Sequence, residues 1–256
     1  MNVIELEKSY RELSPTISYK IYKIKKSNGK FRTITAPNES LKEFQKNIML
    51  YLEQFPIHNS AHGFVSGRSI ATNALPHIKK DFVLNIDLKD FFPSISKKMI
   101  FSLFAELGIE RYIDYVLHNG FLAQGSPCSP IITNLYCCNL DKDLQSLAND
   151  NFYSYTRYAD DLTFSGIYLS DSFISSVYNI VNKYRLNINK KKTKVQFKGT
   201  RQVVTGVVVN EKINLQRSTK KRIRAMHHQY DSLTEYEKQY LAGMNGLQTV
   251  LDNAAK

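Results

Sequence analysis

Residues 152–166 read FYSYTRYADDLTFSG. Two β-prone runs, Phe152 to Tyr158 and Leu162 to Gly166, flank a tip at Ala159-Asp160-Asp161, the pattern of a hairpin. Upstream, Phe82 to Asp87 reads FVLNID, a short apolar strand that also ends in a carboxylate. Acids set at strand ends beside core residues are costly. If the two segments are sheet neighbours, the carboxylates of Asp87, Asp160 and Asp161 converge, and like charges that close stay ionised only when cations neutralise them. Oxygen ligation without His or Cys favours a hard cation, Mg2+ foremost, bound through one or two carboxylates and substrate phosphates. Two such ions suit phosphoryl transfer, activating a 3′-hydroxyl and stabilising a leaving pyrophosphate. An Asp-Asp pair is also ordinary turn chemistry, so the surrounding sequence has to decide.

Working outward, an earlier hairpin runs from Tyr19 to Lys26 and from Phe31 to Ala36 around Asn28-Gly29, a pair suited to a tight turn. Leu41, Phe44, Ile48 and Leu52 mark a helix to about Gln54. His62 to Ser69, HGFVSGRS, is a glycine-punctuated loop before a short helix through His77. The loop from Gln124 to Pro130, QGSPCSP, leads into a long helix expected to turn Ile131, Ile132, Leu135, Cys138 and Leu147 inward. A helix with Phe173, Val177, Ile180 and Val181, a Val-rich strand pair around Val203 to Val209 and two terminal helices complete the chain. Long helices between antiparallel hairpins predict an α+β fold rather than a doubly wound parallel sheet.

The 256 residues are 43% hydrophobic, which excludes a disordered tail and supports one or two domains. A formal charge of +12 points to a polyanionic partner. The charge is regional: Lys183 to Arg224 holds fourteen Lys or Arg and one acid, Glu211. Within it Arg217, Lys220, Lys221 and Arg224 fall on one helical stripe, a solvated face or a phosphate-tracking surface. Three cysteines without C-x-x-C spacing suggest neither a disulfide framework nor a zinc site. With no apolar leader and no run near the ~18 residues of a membrane span, the sequence reads as soluble and cytoplasmic.

Tyr158-Ala159-Asp160-Asp161 resembles the Y-x-D-D box of reverse transcriptases. The resemblance runs in order from about Tyr19 to Gly243, through Arg32 in GKFRTI, the HGFVSGRS loop, DLKDFF, QGSPCSP, Lys191-Lys192-Thr193 and VTGVVVN. Asn73-Ala74-Leu75-Pro76-His77 and Val204-Thr205-Gly206 resemble the N-A-x-x-H and V-T-G signatures of retron reverse transcriptases. The resemblance implies a right-hand polymerase: fingers over 1–80, palm over 81–210 with interleaved fingers helices at about 96–123, and a short or truncated thumb over 211–256.

It also implies roles. Asp87, Asp160 and Asp161 are the metal-binding catalytic residues, with the Leu88 carbonyl a further ligand to two Mg2+ ions. Phe92 is the bulky residue that favours dNTP over NTP; Lys30 and Arg32 close on the triphosphate; Gln124 and Gly125 lie against the nucleotide and template. Lys192 is the candidate proton donor to pyrophosphate. Asn73, His77, Val204, Thr205 and Gly206 help recognise RNA, whose phosphates the stripe of Arg217, Lys220, Lys221 and Arg224 holds. The implied substrate is a structured non-coding RNA, template and primer at once, extended with dNTPs from a 2′-hydroxyl into a branched RNA–DNA hybrid. Retrons are associated with antiphage defence, alongside an effector protein. The alternatives are an abortive-infection or group II intron-type reverse transcriptase, and a non-catalytic RNA-binding scaffold of the same fold.

Overall fold

The computed structural model describes residues 1–25, 29 and 31–254. In chain order the elements begin with α1 (Val3–Leu13), β1 (Tyr19–Lys25), β2 (Phe31–Pro37), α2 (Glu39–Leu52), α3 (Ile70–Ala74), β3 (Phe82–Asp87), α4 (Phe91–Ser94) and α5 (Lys97–Glu106). Then come β4 (Leu117–His118), β5 (Phe121–Leu122), α6 (Ser129–Tyr136), α7 (Cys138–Asp150), β6 (Ser154–Tyr158), β7 (Asp161–Gly166) and α8 (Asp171–Lys183). The last are β8 (Lys194–Phe197), β9 (Val203–Val204), β10 (Val207–Val208), β11 (Asn214–Leu215), α9 (Arg217–His228) and α10 (Glu235–Ala254). Helices and antiparallel strands mix throughout, which is the α+β class.

The chain divides into two bodies. One gathers Met1–Asn59, Leu88–Asp143 and Tyr178–Ile188; the other gathers Ser60–Asp87, Leu144–Val177 and Asn189–Lys256. In the first, β1 and β2 form the early hairpin, with Tyr19 opposite Pro37 and Lys25 opposite Phe31. Asn38 caps α2 by accepting a hydrogen bond from the Leu41 amide, so the helix starts where the strand ends. Its Phe44 packs among Tyr10, Tyr112 and Tyr115 with ring centroids 5.3–5.5 Å apart, an aromatic knot that anchors the body.

The second body is built on a four-stranded sheet in the order β6-β7-β3-β8, antiparallel at every pairing. β3 is interior to the sheet, and its burial on both faces is why FVLNID reads as an almost unbroken apolar run. On one face Phe82, Tyr153, Phe164 and Phe173 meet edge to face, each buried ring contributing about 2–3 kcal/mol. Beyond the other face, β9, β10 and β11 form a small sheet in which Val204, Val207 and Leu215 share a core with Ala71, Ala74 and Leu251.

Two expectations change. The long helix expected after QGSPCSP breaks at Cys137, where the last turn tightens and α6 gives way to α7. The break resets the helical phase, so Leu140, Leu144 and Ala148 turn inward while Cys138 and Leu147 are half-buried. The basic segment also contributes β8, an edge strand pairing Phe197 with Phe82 and Lys194 with Asn85. No helix among the described residues is long and apolar enough to cross a membrane.

Candidate active site

Asp87 and Asp161 come face to face because of strand register. β3 and β7 pair so that Asp87 stands directly opposite Asp161, and β6 pairs with β7 so that Tyr158 opposite Asp161 leaves Ala159-Asp160 as the connecting turn. Carboxylates directly across an antiparallel pair lie about 5 Å apart at Cβ, where like charges repel. The repulsion is visible at Asp161, whose carboxyl is pushed up to about 6, first by burial and then by Asp160 and Asp87.

Lys192 answers that charge. Its ammonium donates to Asp87 Oδ2 at 2.6 Å, and the same bond draws the lysine's own pKa upward. Its place is set by backbone: the Asn189 amide donates to the Asp87 carbonyl at 2.8 Å, and the Lys192 and Thr193 amides donate back to the Asn189 carbonyl at 2.9 and 3.1 Å.

Among the described residues no three His, Cys, Asp or Glu side chains stand together as a ready metal cage. The donor set nonetheless fits a hard divalent ion. It is oxygen-only at the acids, it carries like charges that repel, and a cation already sits on Asp87. An ion that takes one or two carboxylates and completes its shell with substrate phosphates and water needs no more from the protein.

A polar recess of about 380 Å3 opens beside Asp161, lined by Asn85, Lys194, Gln196, Arg201, Thr205 and Gln216. The sequence reading missed it. The one signal available was Asn85, a polar letter inside an apolar strand, which accepts from Thr163 Oγ1 and donates to the Val203 carbonyl.

In the other body, Arg32 and Gln124 line a cleft of about 1040 Å3 together with Thr35, Asp90, Pro93 and Asn187. Gly125 is needed there for packing within the protein: its φ is +137°, and a β-carbon would stand 2.8 Å from the Thr35 carbonyl oxygen. The Thr35 amide donates to the Gln124 carbonyl at 2.8 Å, tying this loop to β2. Phe92 is half-buried, its ring tilted against Phe91 at 5.6 Å. Leu88 is buried and forms an isolated bridge with Ile188. Lys30 lies outside the described residues.

The residues expected to recognise RNA divide into two groups. The side chains of Asn73, His77 and Val204 are sealed from solvent inside the protein. His77 bridges two strands, Nδ1 to Ser165 Oγ at 2.7 Å and Nε2 to Thr156 Oγ1 at 2.8 Å, and burial pulls its pKa down to about 3, so it is neutral. Asn73 donates to Thr205 Oγ1 at 3.3 Å, joining the two signature segments inside the protein. Thr205 and Gly206 form the β9–β10 turn with φ of +45° and +85°, the conformation in which Gly is favoured. Arg217, Lys221 and Arg224 are exposed on α9 and Lys220 is half-buried.

Comparison with known proteins agrees with this geometry. Residues 24–239 match the family described as reverse transcriptase (RNA-dependent DNA polymerase). The retron Mx162 reverse transcriptase of Myxococcus xanthus is 38% identical over 237 residues, 78% of this chain and 49% of that protein. The retron Mx65 enzyme of the same organism is 35% identical over 255 residues, 90% of this chain and 60% of that protein. The retron Ec86 reverse transcriptase of Escherichia coli is 38% identical over 225 residues, 82% and 69% respectively. This chain thus spans 49% and 60% of the length of the two Myxococcus relatives. A solved telomerase from Candida albicans, in complex with a fragment of telomeric RNA, has a TM-score of 0.57 at 14% identity over 83% of this chain and 48% of that one, a likeness of fold. Reverse transcriptases as a family use divalent metal ions. The match across most of its length and the identity to these relatives show that the chain belongs to the reverse transcriptase family, in company with the retron enzymes.

Proposed function

We propose that this protein is a cytoplasmic RNA-directed DNA polymerase of retron type. A structured non-coding RNA serves as template and primer, dNTPs are added from an RNA 2′-hydroxyl, and the product is a branched RNA–DNA hybrid. The observation that carries the reading is the register setting Asp87 opposite Asp161 at the turn that holds Asp160. Two Mg2+ ions, held by Asp87, Asp160, Asp161 and the Leu88 carbonyl, would supply the charge that activates the attacking hydroxyl and steadies the pyrophosphate.

The chain's own residues do the rest. With its carboxyl pushed up to about 6 by burial and like charges, Asp161 ionises more readily when a cation binds beside it, which couples its ionisation to loading. Lys192, bonded to Asp87 and with its side chain 62% exposed, is free to swing toward the leaving pyrophosphate and donate a proton. Arg32 and Lys30 close on the triphosphate, Gln124 and Gly125 lie against the nucleotide and template, and Phe92 selects against a ribose 2′-hydroxyl. Lys194, Arg201 and Gln196 suit the phosphates of the primer strand. Thr205, Gly206 and the α9 stripe of Arg217, Lys220, Lys221 and Arg224 meet RNA, while Asn73, His77 and Val204 set the frame on which that turn sits. In this reading 1–80 belong to fingers, 81–210 to palm with fingers helices at about 96–123, and 211–256 to thumb, and the enzyme serves antiphage defence beside an effector protein.

The test is incorporation of dNTPs on a primed RNA template. Wild type should incorporate only with Mg2+, and Asp160→Ala should abolish it, whereas a variant as active as wild type would refute the reading.

A further inference from the structure

Gly63 leaves no room for a side chain. A β-carbon there would stand 2.5 Å from the amide nitrogen of Ala159 and 3.1 Å from the carbonyl carbon of Tyr158. Residues 60–62 reach this point as a short parallel lane along β6: the Arg157 amide donates to the Ser60 carbonyl and the His62 amide to the Arg157 carbonyl, each at 2.7 Å. The lane is itself pinned. Ser60 Oγ donates to Gln145 Oε1 at 2.6 Å, Arg68 donates to the Ala61 carbonyl at 2.5 Å, and His62 Nδ1 pairs with Thr72 Oγ1 at 2.9 Å.

From within, Arg157 grips the same residue. Its side chain is sealed from solvent, and Nη1 donates to the Ala159 carbonyl at 3.2 Å. A guanidinium is buried at great cost unless its donors are used, so its bonds hold it in one pose. Ala159 has φ of +55°, a left-handed conformation that costs a residue with a β-carbon about 1–2 kcal/mol. Such a conformation persists when its surroundings impose it.

We propose that Gly63 and Arg157 clamp Ala159 and act as positioning residues for the acids that follow it. The clamp acts on the backbone of the turn, setting where Asp160 and Asp161 point, and it touches neither substrate nor ion. The inference rests on the reading of those acids as the catalytic pair.

The test compares the full chain with Gly63→Ala and Arg157→Lys, and with Gly246→Ala as control, where a β-carbon meets nothing within 4 Å. On a primed RNA template kcat should fall about ten- to a hundredfold while KM for dNTP stays within about twofold. Far-UV circular dichroism should be unchanged, and MgCl2 alone should raise the wild-type melting temperature and raise those of the two variants less. The control should match wild type in kcat, in KM and in the size of its response to MgCl2. Folded variants with kcat within about twofold of wild type and an undiminished response to MgCl2 would overturn the clamp. Amide exchange in wild type decides the matter if neither variant folds: the His62 and Arg157 amides should exchange as slowly as those of β3, and rapid exchange would overturn it. A wild type that answers MgCl2 but incorporates nothing would remove the polymerase reading, leaving the clamp to be judged by the MgCl2 response of the variants.

Discussion

Asp161→Asn separates what this acid does for chemistry from what it does to the fold. Without metal, burial, the adjacent Asp160 and the facing Asp87 push its carboxyl from 3.8 up to about 6. A value raised in the folded state means that the native protein holds the proton more tightly than the unfolded chain. The stabilisation is therefore fully present below pH 3.8 and is lost as the pH rises through about 6. A shift of about two units corresponds to roughly 3 kcal/mol. Asparagine keeps the shape and cannot ionise, so at pH 8 in EDTA the variant should be the more stable by up to roughly 3 kcal/mol, or up to roughly 10 °C in Tm. Near pH 4 the two proteins should melt together. Calorimetry in EDTA from pH 4 to 8 reads the difference directly. Added MgCl2 should raise the wild-type Tm and leave the variant's nearly unmoved, and the variant should incorporate no dNTP. A variant no more stable than wild type at pH 8, or two pH profiles that run parallel, would refute the account of Asp161.

Two further substitutions probe other parts of the molecule. His77→Leu strips partners from the buried hydroxyls of Thr156 and Ser165 and should cost about 2–4 kcal/mol in denaturant unfolding; a folded variant that lost RNA affinity at unaltered stability would contradict its role as frame. Gly125→Ala forces a β-carbon against the Thr35 carbonyl at a φ of +137°, and should raise KM for dNTP several-fold while changing kcat less; an unchanged KM would detach this loop from the nucleotide.

What the sequence made legible was local. FVLNID and the hairpin around Asp160 are strands by their own composition, and their acids fall at strand ends whatever the rest of the chain does. Lys192 was not legible in the same sense, since Lys190, Lys191 and Lys194 look equivalent in the sequence. What selects it is the Asn189 amide on the Asp87 carbonyl, a bond between residues far apart in the chain. The burial of Asn73 and His77 was hidden for a related reason. Polar letters at the end of a short helix read as surface, and only the hydroxyls of Thr156 and Ser165, supplied by strands far downstream, make a buried imidazole tolerable. The break at Cys137 and the recess beside Asp161 likewise arise from packing that no window of sequence contains.

The interior position of β3 has a consequence for biosynthesis. This strand leaves the ribosome well before either neighbour, for β7 and β8 are completed only when translation reaches residues 166 and 197. At ordinary elongation rates the interval to the second partner is roughly 5–20 s. Throughout it a nascent chain carries a β-prone apolar hexapeptide with both hydrogen-bonding edges unmet, a template for unwanted association with other chains. Slowing elongation after residue 87 should therefore lower soluble yield, and a holdase chaperone that covers FVLNID should restore it.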